Sequence, residues 1–282
     1  MTKLFVYKTT PSGALYLEAL YPAQQAPERP AILFLFGGGW VTGHRQQFLP
    51  QARFFASRGW LSVVADYRVA SRHGSTPQDA LADARDAWAW LQSRAGQFDI
   101  DPRQMVLAGG SSGGHLAACM ASGCGTAPLS PPPRALVLYN PVLDLVAARP
   151  QDGFSTGEMD LIRQMTAEER ERLSPWRAPG HAPGHHSGRA ASQPLCELPI
   201  PRLLIYGDQD PLYRHYLTQP CGDAGEPQVP LGVATWEGVG HGFFNEPPYT
   251  RQTNELIADF LQRSGRLNPQ APQRDAANAN RP

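Results

Sequence analysis

The sequence predicts an α/β domain built on a largely parallel sheet. Three observations carry this. Short apolar runs alternate with longer amphipathic ones along the chain, which is the rhythm of strands joined by crossover helices. Several runs, such as "AILFLF" and "RLLIYG", are apolar throughout, as strands covered on both faces must be. The length of 282 residues suits one large domain.

The elements follow in order. "LFVYK" and "ALYLEALYP" read as a leading hairpin around the Pro11-Ser12-Gly13 turn. "AILFLF" (31–36) is a buried strand running into Gly37-Gly38-Gly39-Trp40, Gln47 to Arg58 is a helix stopped by Gly59, and "LSVVADY" (61–67) is the next strand. The clearest helix starts at Thr76, an N-cap followed by Pro77 and Asp79 in the first turn, with Leu81, Ala84, Trp88 and Leu91 on one face. Further strands are expected at 104–109, 134–140, 202–207 and 232–237, and a closing helix at 252–262. Residues 144–200 are long for a connection. They contain a helix capped by Thr166 and Glu169 and then a Pro-, Gly- and His-rich stretch, as expected of a lid or substrate-binding insertion. The domain is expected to end at 265, with a disordered tail over 266–282.

Lys plus Arg balance Asp plus Glu at 25 each, so no basic stripe points to nucleic acid or to an anionic membrane surface. The N-terminus lacks a signal-peptide h-region, and no apolar run is long enough to span a bilayer. Four cysteines in a chain of this length are no disulfide framework. A Cys196–Cys221 bond is conceivable, but the default is a reduced, cytoplasmic protein. His181, His185 and His186 share no metal-like spacing with a cysteine or carboxylate and read as loop residues, so no metal or other cofactor is expected.

The chemistry concentrates in "MVLAGGSSGGHLAA" (105–118), which holds two overlapping copies of G-x-S-x-G, centred on Ser111 and Ser112. A serine held on a tight strand-to-helix turn needs glycines beside it, because strand and helix pass too closely for a Cβ. It also needs a base and an orienting acid. "GDQDPLY" offers Asp208 and Asp210 after one strand, and "GVGHGFFN" offers His241 after the next, in the order Ser, Asp, His. "FGGGW" supplies unhindered backbone N–H groups for an oxyanion, and it matches neither the phosphate-loop nor the dinucleotide fingerprint.

These pieces, with "LFLFGGGWVTG", "VVADYRVA" and "LLIYGDQDP", resemble the α/β-hydrolases, and more narrowly the hormone-sensitive-lipase-like and acetyl-xylan-esterase-like esterases, over roughly residues 31–245. The resemblance implies an α/β-hydrolase fold with helices on both faces of the sheet. It places the nucleophile at Ser111, with Ser112 next to it contributing its N–H to an oxyanion hole together with Gly38 and Gly39. The acid falls at Asp210, with Asp208 weaker and Asp144 an outside candidate, and the base at His241. The family's usual His before the three glycines is Phe36 here, which places the rigidity of that loop in question. His115 is expected to be structural. Trp40 and Phe243 are candidate substrate-lining residues, with packing roles as the alternative.

The function expected is a serine carboxylesterase acting on short-acyl, most simply acetyl, esters, whose alcohol could be a carbohydrate. The partner is then a small-molecule or carbohydrate ester. An arylformamidase-like amide hydrolase would use the same machinery, and a binding protein that has lost catalysis is the rival of another class. Oligomeric state is not encoded in any of these features.

Overall fold

The computed structural model describes residues 1–24, 26–177, 193–217 and 231–267. Eight strands form one sheet: β1 (Thr2–Thr10), β2 (Gly13–Leu20), β3 (Arg29–Leu35), β4 (Leu61–Ala65), β5 (Ile100–Gly110), β6 (Ala135–Tyr139), β7 (Arg202–Gly207) and β8 (Leu231–Trp236). Their order is β1-β2-β4-β3-β5-β6-β7-β8. The β1–β2 hairpin and the β2–β4 pair are antiparallel, and every later pair is parallel. All eight expected strands are present. The residues of β4, β6 and β7 are buried throughout, because helices cover both faces.

The helices are α1 (Leu49–Ala56), α2 (Ala70–His73), α3 (Pro77–Ser93), α4 (Ser112–Ser122), α5 (Thr156–Gln164), α6 (Ala167–Arg172), α7 (Pro211–Leu217) and α8 (Tyr249–Leu267). α1 and α8 pack together against β3, β4, β6 and β7, while α3 packs on α4, which lies over β3, β5 and β6. α3 begins at the expected N-cap, which closes into a full capping box: Thr76 accepts from the Asp79 N–H, and the Asp79 carboxylate accepts from the Thr76 N–H. The same device starts α6 at Thr166 and Glu169, and also α5 at Ser155 and Glu158. α5 was not foreseen, although Ser155-Thr156-Gly157-Glu158 carries the signature.

Two expectations change. α8 continues to Leu267, two residues past the expected domain end, and 268–282 lie outside the described residues. The fully reduced chain gives way at Cys196, which is disulfide-bonded, whereas Cys119 and Cys124 are free and buried. Spacing in the sequence could not decide this, because pairing depends on which loops the fold brings together. Cys221 and the three histidines at 181, 185 and 186 lie outside the described residues. Among the described residues no helix is long and apolar enough to cross a membrane, and no group of side chains could hold a metal ion.

Candidate active site

The parallel strands end at one edge of the sheet, and the loops leaving them meet there. Between β5 and α4 the chain reverses at Ser111, whose φ of 51° and ψ of −118° are unfavourable for a residue with a side chain. The crowding that requires glycine is explicit. A Cβ on Gly113 would overlap the Leu35 and Phe36 carbonyls, and one on Gly109 would overlap the backbone of Gly113. The Ser111 N–H donates to the Tyr139 carbonyl at 2.8 Å and the His115 N–H to the Ser111 carbonyl at 2.9 Å, so both flanks of the turn are tied down.

The two serines part company here. The Ser111 Oγ lies 3.0 Å from His241 Nε2 in the cleft. The Ser112 side chain is fully buried, with its Oγ 3.4 Å from the Tyr67 hydroxyl.

His241 stands exposed, and its Nδ1 lies 2.9 Å from Asp210 Oδ2, a carboxylate that is itself buried. Asp210 is fixed from two further sides: its Oδ1 accepts from the Leu212 N–H at 3.0 Å, and Asn140 Nδ2 donates to its Oδ2. The remaining carboxylates are occupied elsewhere. Asp208 accepts from the Gly238 N–H at 2.8 Å, which ties the β7 and β8 loops together. Asp144 is buried against Arg177, with Nε and Nη2 each 2.7 Å from its Oδ2, and accepts from the Val146 N–H.

Asn140 escaped the sequence reading. It is the first residue after β6, at φ 44°, and a lone Asn at a strand end looks like ordinary turn chemistry until the fold sets it against Asp210.

The three-glycine loop faces the same space. Gly37, Gly38 and Gly39 line a cleft of about 300 Å³ together with Ser111, Asp210 and His241. Among the described residues neither the Gly38 nor the Gly39 N–H has a protein acceptor, and the Ser112 N–H is the first of α4, where no intrahelical partner exists.

Phe36 does not leave the loop slack. Its ring stacks on Tyr67 with centroids 4.0 Å apart and planes 5° from parallel, and its carbonyl accepts from the Tyr67 hydroxyl at 2.7 Å. The Gly37 N–H donates to Gln47 Oε1 at 2.6 Å, and the Gly38 carbonyl accepts from the N–H groups of Val41 and Thr42.

Two candidate lining residues fall outside the cleft. Trp40 is fully buried and meets His115 edge-on at 5.0 Å. Phe243 is buried among Trp236, Phe244 and Tyr249, and its neighbour Phe244 is the one that lines the cleft. An aromatic next to a motif carries no signal of which way a short turn will point it. His115 is structural, as expected: its Nε2 donates to the Leu173 carbonyl at 2.7 Å, and burial pushes its pKa down to about 4, so the ring is neutral. The far wall comes from the 144–200 insertion, through Asp152, Gly153, Phe154 and Glu158.

A family model described as the alpha/beta hydrolase fold matches residues 32–245. The chain belongs to the α/β-hydrolase family. Among solved structures it is similar to a thermophilic esterase, Est2, of the planctomycete Thermogutta terrifontis, with 30% identity, a TM-score of 0.70, and coverage of 96% of this chain and 95% of that one. The butyrate-bound form of that esterase matches at 29% identity and a TM-score of 0.69, covering 95% and 96%. Among sequence relatives, LipM of Mycobacterium tuberculosis, a probable carboxylic ester hydrolase, is 33% identical over 93 residues, 33% of this chain and 21% of LipM. The non-reducing polyketide synthase Preu6 of Preussia isomera is 29% identical over 166 residues, 56% of this chain but 7% of that protein. The chain thus spans only a small part of these two curated relatives, and nearly all of the esterase of known structure.

Proposed function

We propose that this α/β-hydrolase is a serine carboxylic ester hydrolase. The observation that carries the reading is the unbroken chain from the Ser111 hydroxyl through His241 to buried Asp210, beside backbone N–H groups of Gly38 and Gly39 that have no acceptor among the described residues. His241 Nε2 takes the Ser111 proton as Oγ attacks the ester carbonyl, and Asp210 holds the Nδ1–H tautomer and offsets the imidazolium charge. The N–H groups of Gly38, Gly39 and Ser112 receive the oxyanion. His241 returns the proton to the leaving alcohol, and water repeats the sequence on the acyl-enzyme, which releases the acid and restores Ser111.

The substrates are short-acyl esters of small molecules. A cleft of about 300 Å³ leaves room for a short acyl chain, and the esterase of similar structure was solved with butyrate bound. Acetyl is the simplest acyl group of that class, and a carbohydrate hydroxyl is one alcohol that would fit it. As for location, a cytoplasmic setting is weakened by the disulfide at Cys196, since such bonds persist in oxidising compartments.

The test is hydrolysis of p-nitrophenyl acetate, butyrate and octanoate, with labelling by a fluorophosphonate probe in parallel. The expected result is stoichiometric labelling and a kcat/KM that is highest at two to four carbons and lower at eight. A folded protein that neither labels nor turns over any ester would overturn the reading in favour of a binding protein. Turnover confined to an N-formyl aryl amide would replace it with an amide hydrolase.

A further inference from the structure

The capping boxes of α5 and α6 are built alike, yet only one faces the cleft. In α5 the Ser155 N–H donates to Glu158 Oε2 at 2.7 Å, and the Glu158 N–H donates to Ser155 Oγ at 3.3 Å. The equivalent pair in α6 is Thr166 and Glu169, with Glu169 in a separate cleft beside Gln78. Glu158 instead lies against the three-glycine loop. A single methyl group on Gly39 would overlap its carboxyl, and Glu158 shares the cleft with Ser111 and His241.

A cap needs only a carbonyl oxygen at this position, which glutamine supplies equally well, and the first turn of α5 favours a negative charge there only weakly, so the charge can serve the cleft as well as the helix. Among the described residues Glu158 makes no ion pair, and no Lys or Arg lines the cleft. Asp152 adds a second carboxylate to the same wall, held by the Arg149 N–H at 2.9 Å. Placed beside the donors of an oxyanion hole, a carboxylate with no counter-ion among the described residues opposes the charge that develops there. A cation on the substrate would offset it and be held by it.

We propose that Glu158 is a specificity-determining residue that selects esters carrying a cationic group, such as an ammonium, over neutral and anionic ones. This rests on the esterase reading above. Since the cation is attracted in the ground state and also relieves the oxyanion, its effect shows in kcat/KM and weakens with salt.

The experiment compares acetylthiocholine with its neutral isostere, 3,3-dimethylbutyl thioacetate, at low and high ionic strength, in wild type, Glu158→Gln and Glu169→Gln. Glutamine keeps both caps, so both variants are expected to fold. Wild type should favour the cationic thioester by about fivefold or more in kcat/KM at low salt. Glu158→Gln should bring the ratio near one, and Glu169→Gln should leave it at the wild-type value. A wild-type ratio near one, or a preference that survives Glu158→Gln, overturns the proposal. Fluorophosphonate labelling of all three proteins separates the two readings. A labelled enzyme with no cation preference defeats only the role of Glu158, whereas an unlabelled, inert wild type defeats the esterase and this proposal with it.

Discussion

The cleft has two walls that differ in what fixes them. One is made by the loops leaving β3, β5, β7 and β8, where Gly37–Gly39, Ser111, Asp210 and His241 stand. The other is the stretch Asp152–Glu158 between β6 and β7. On the first wall each group is held by the strand beneath it, and the backbone is so crowded that only a few residue types fit. The second is positioned by docking. The turn at 150–152 packs on α7, Gly157 lies against Val41, and farther along the same insertion the Leu173 carbonyl accepts from His115 on α4. Crowding leaves a signature in sequence and docking does not.

The largest way to break the comparison is to remove the first wall's proposed nucleophile. Ser111→Ala should lower kcat on p-nitrophenyl acetate by on the order of a millionfold, toward the uncatalysed rate. Ser112→Ala keeps its backbone N–H and should stay active, with a loss of stability from the Tyr67 contact. An inert Ser112→Ala beside an active Ser111→Ala would shift the elbow by one residue. Next in size is Asp210→Asn, expected to cost about 10⁴ in kcat because it disturbs the His241 tautomer. Asp208→Asn keeps an acceptor for the Gly238 N–H and should behave like wild type. Equal losses at the two positions would mean that the acid has been misassigned.

How far the sequence could be read follows the same division. The strands, the elbow, Asp210 and His241 were legible because each is a short pattern whose physical demand is local. Trp40 and Phe243 were misplaced because neighbourhood in sequence says nothing of facing. Asn140 and Glu158 were missed for the opposite reason. Their local chemistry, a strand-end turn and a helix cap, is ordinary, and only tertiary placement sets them against Asp210 and Gly39. The disulfide at Cys196 belongs with these.

His115 ties α4 to the chain that follows α6, and its burial gives a pH-dependent prediction. Its pKa falls from 6.5 to about 4 on folding, so below pH 6.5 the unfolded chain binds a proton that the native state refuses. The stability it contributes is full above 6.5 and is lost as the pH falls toward 4. Urea unfolding should therefore show wild type losing about 3 kcal/mol more than His115→Gln between about pH 7 and pH 4. Glutamine does not titrate there and keeps a donor for the Leu173 carbonyl. Parallel losses in the two proteins would place the proton elsewhere and remove His115 as the pH-sensitive joint.

The smallest effect tests what orders the three-glycine loop. Tyr67 grips Phe36 twice, by the stacked ring and by the hydroxyl on the Phe36 carbonyl. Tyr67→Phe keeps the first contact and deletes the second, leaving that carbonyl and the Ser112 hydroxyl buried short of a partner, at a cost of about 1–3 kcal/mol in stability. Because Gly38 and Gly39 follow directly, a loop released by one bond should aim its donors less well. The loss should then fall on kcat, by about tenfold or less, with KM unchanged, since those donors act on charge that exists only in the transition state. Thermal unfolding alongside kinetics separates the two grips. A lower Tm with an unchanged kcat would assign the loop's aim to the stacked rings and to Gln47 on the Gly37 N–H, so that the ring of Phe36 itself, in place of the family's histidine, does the ordering.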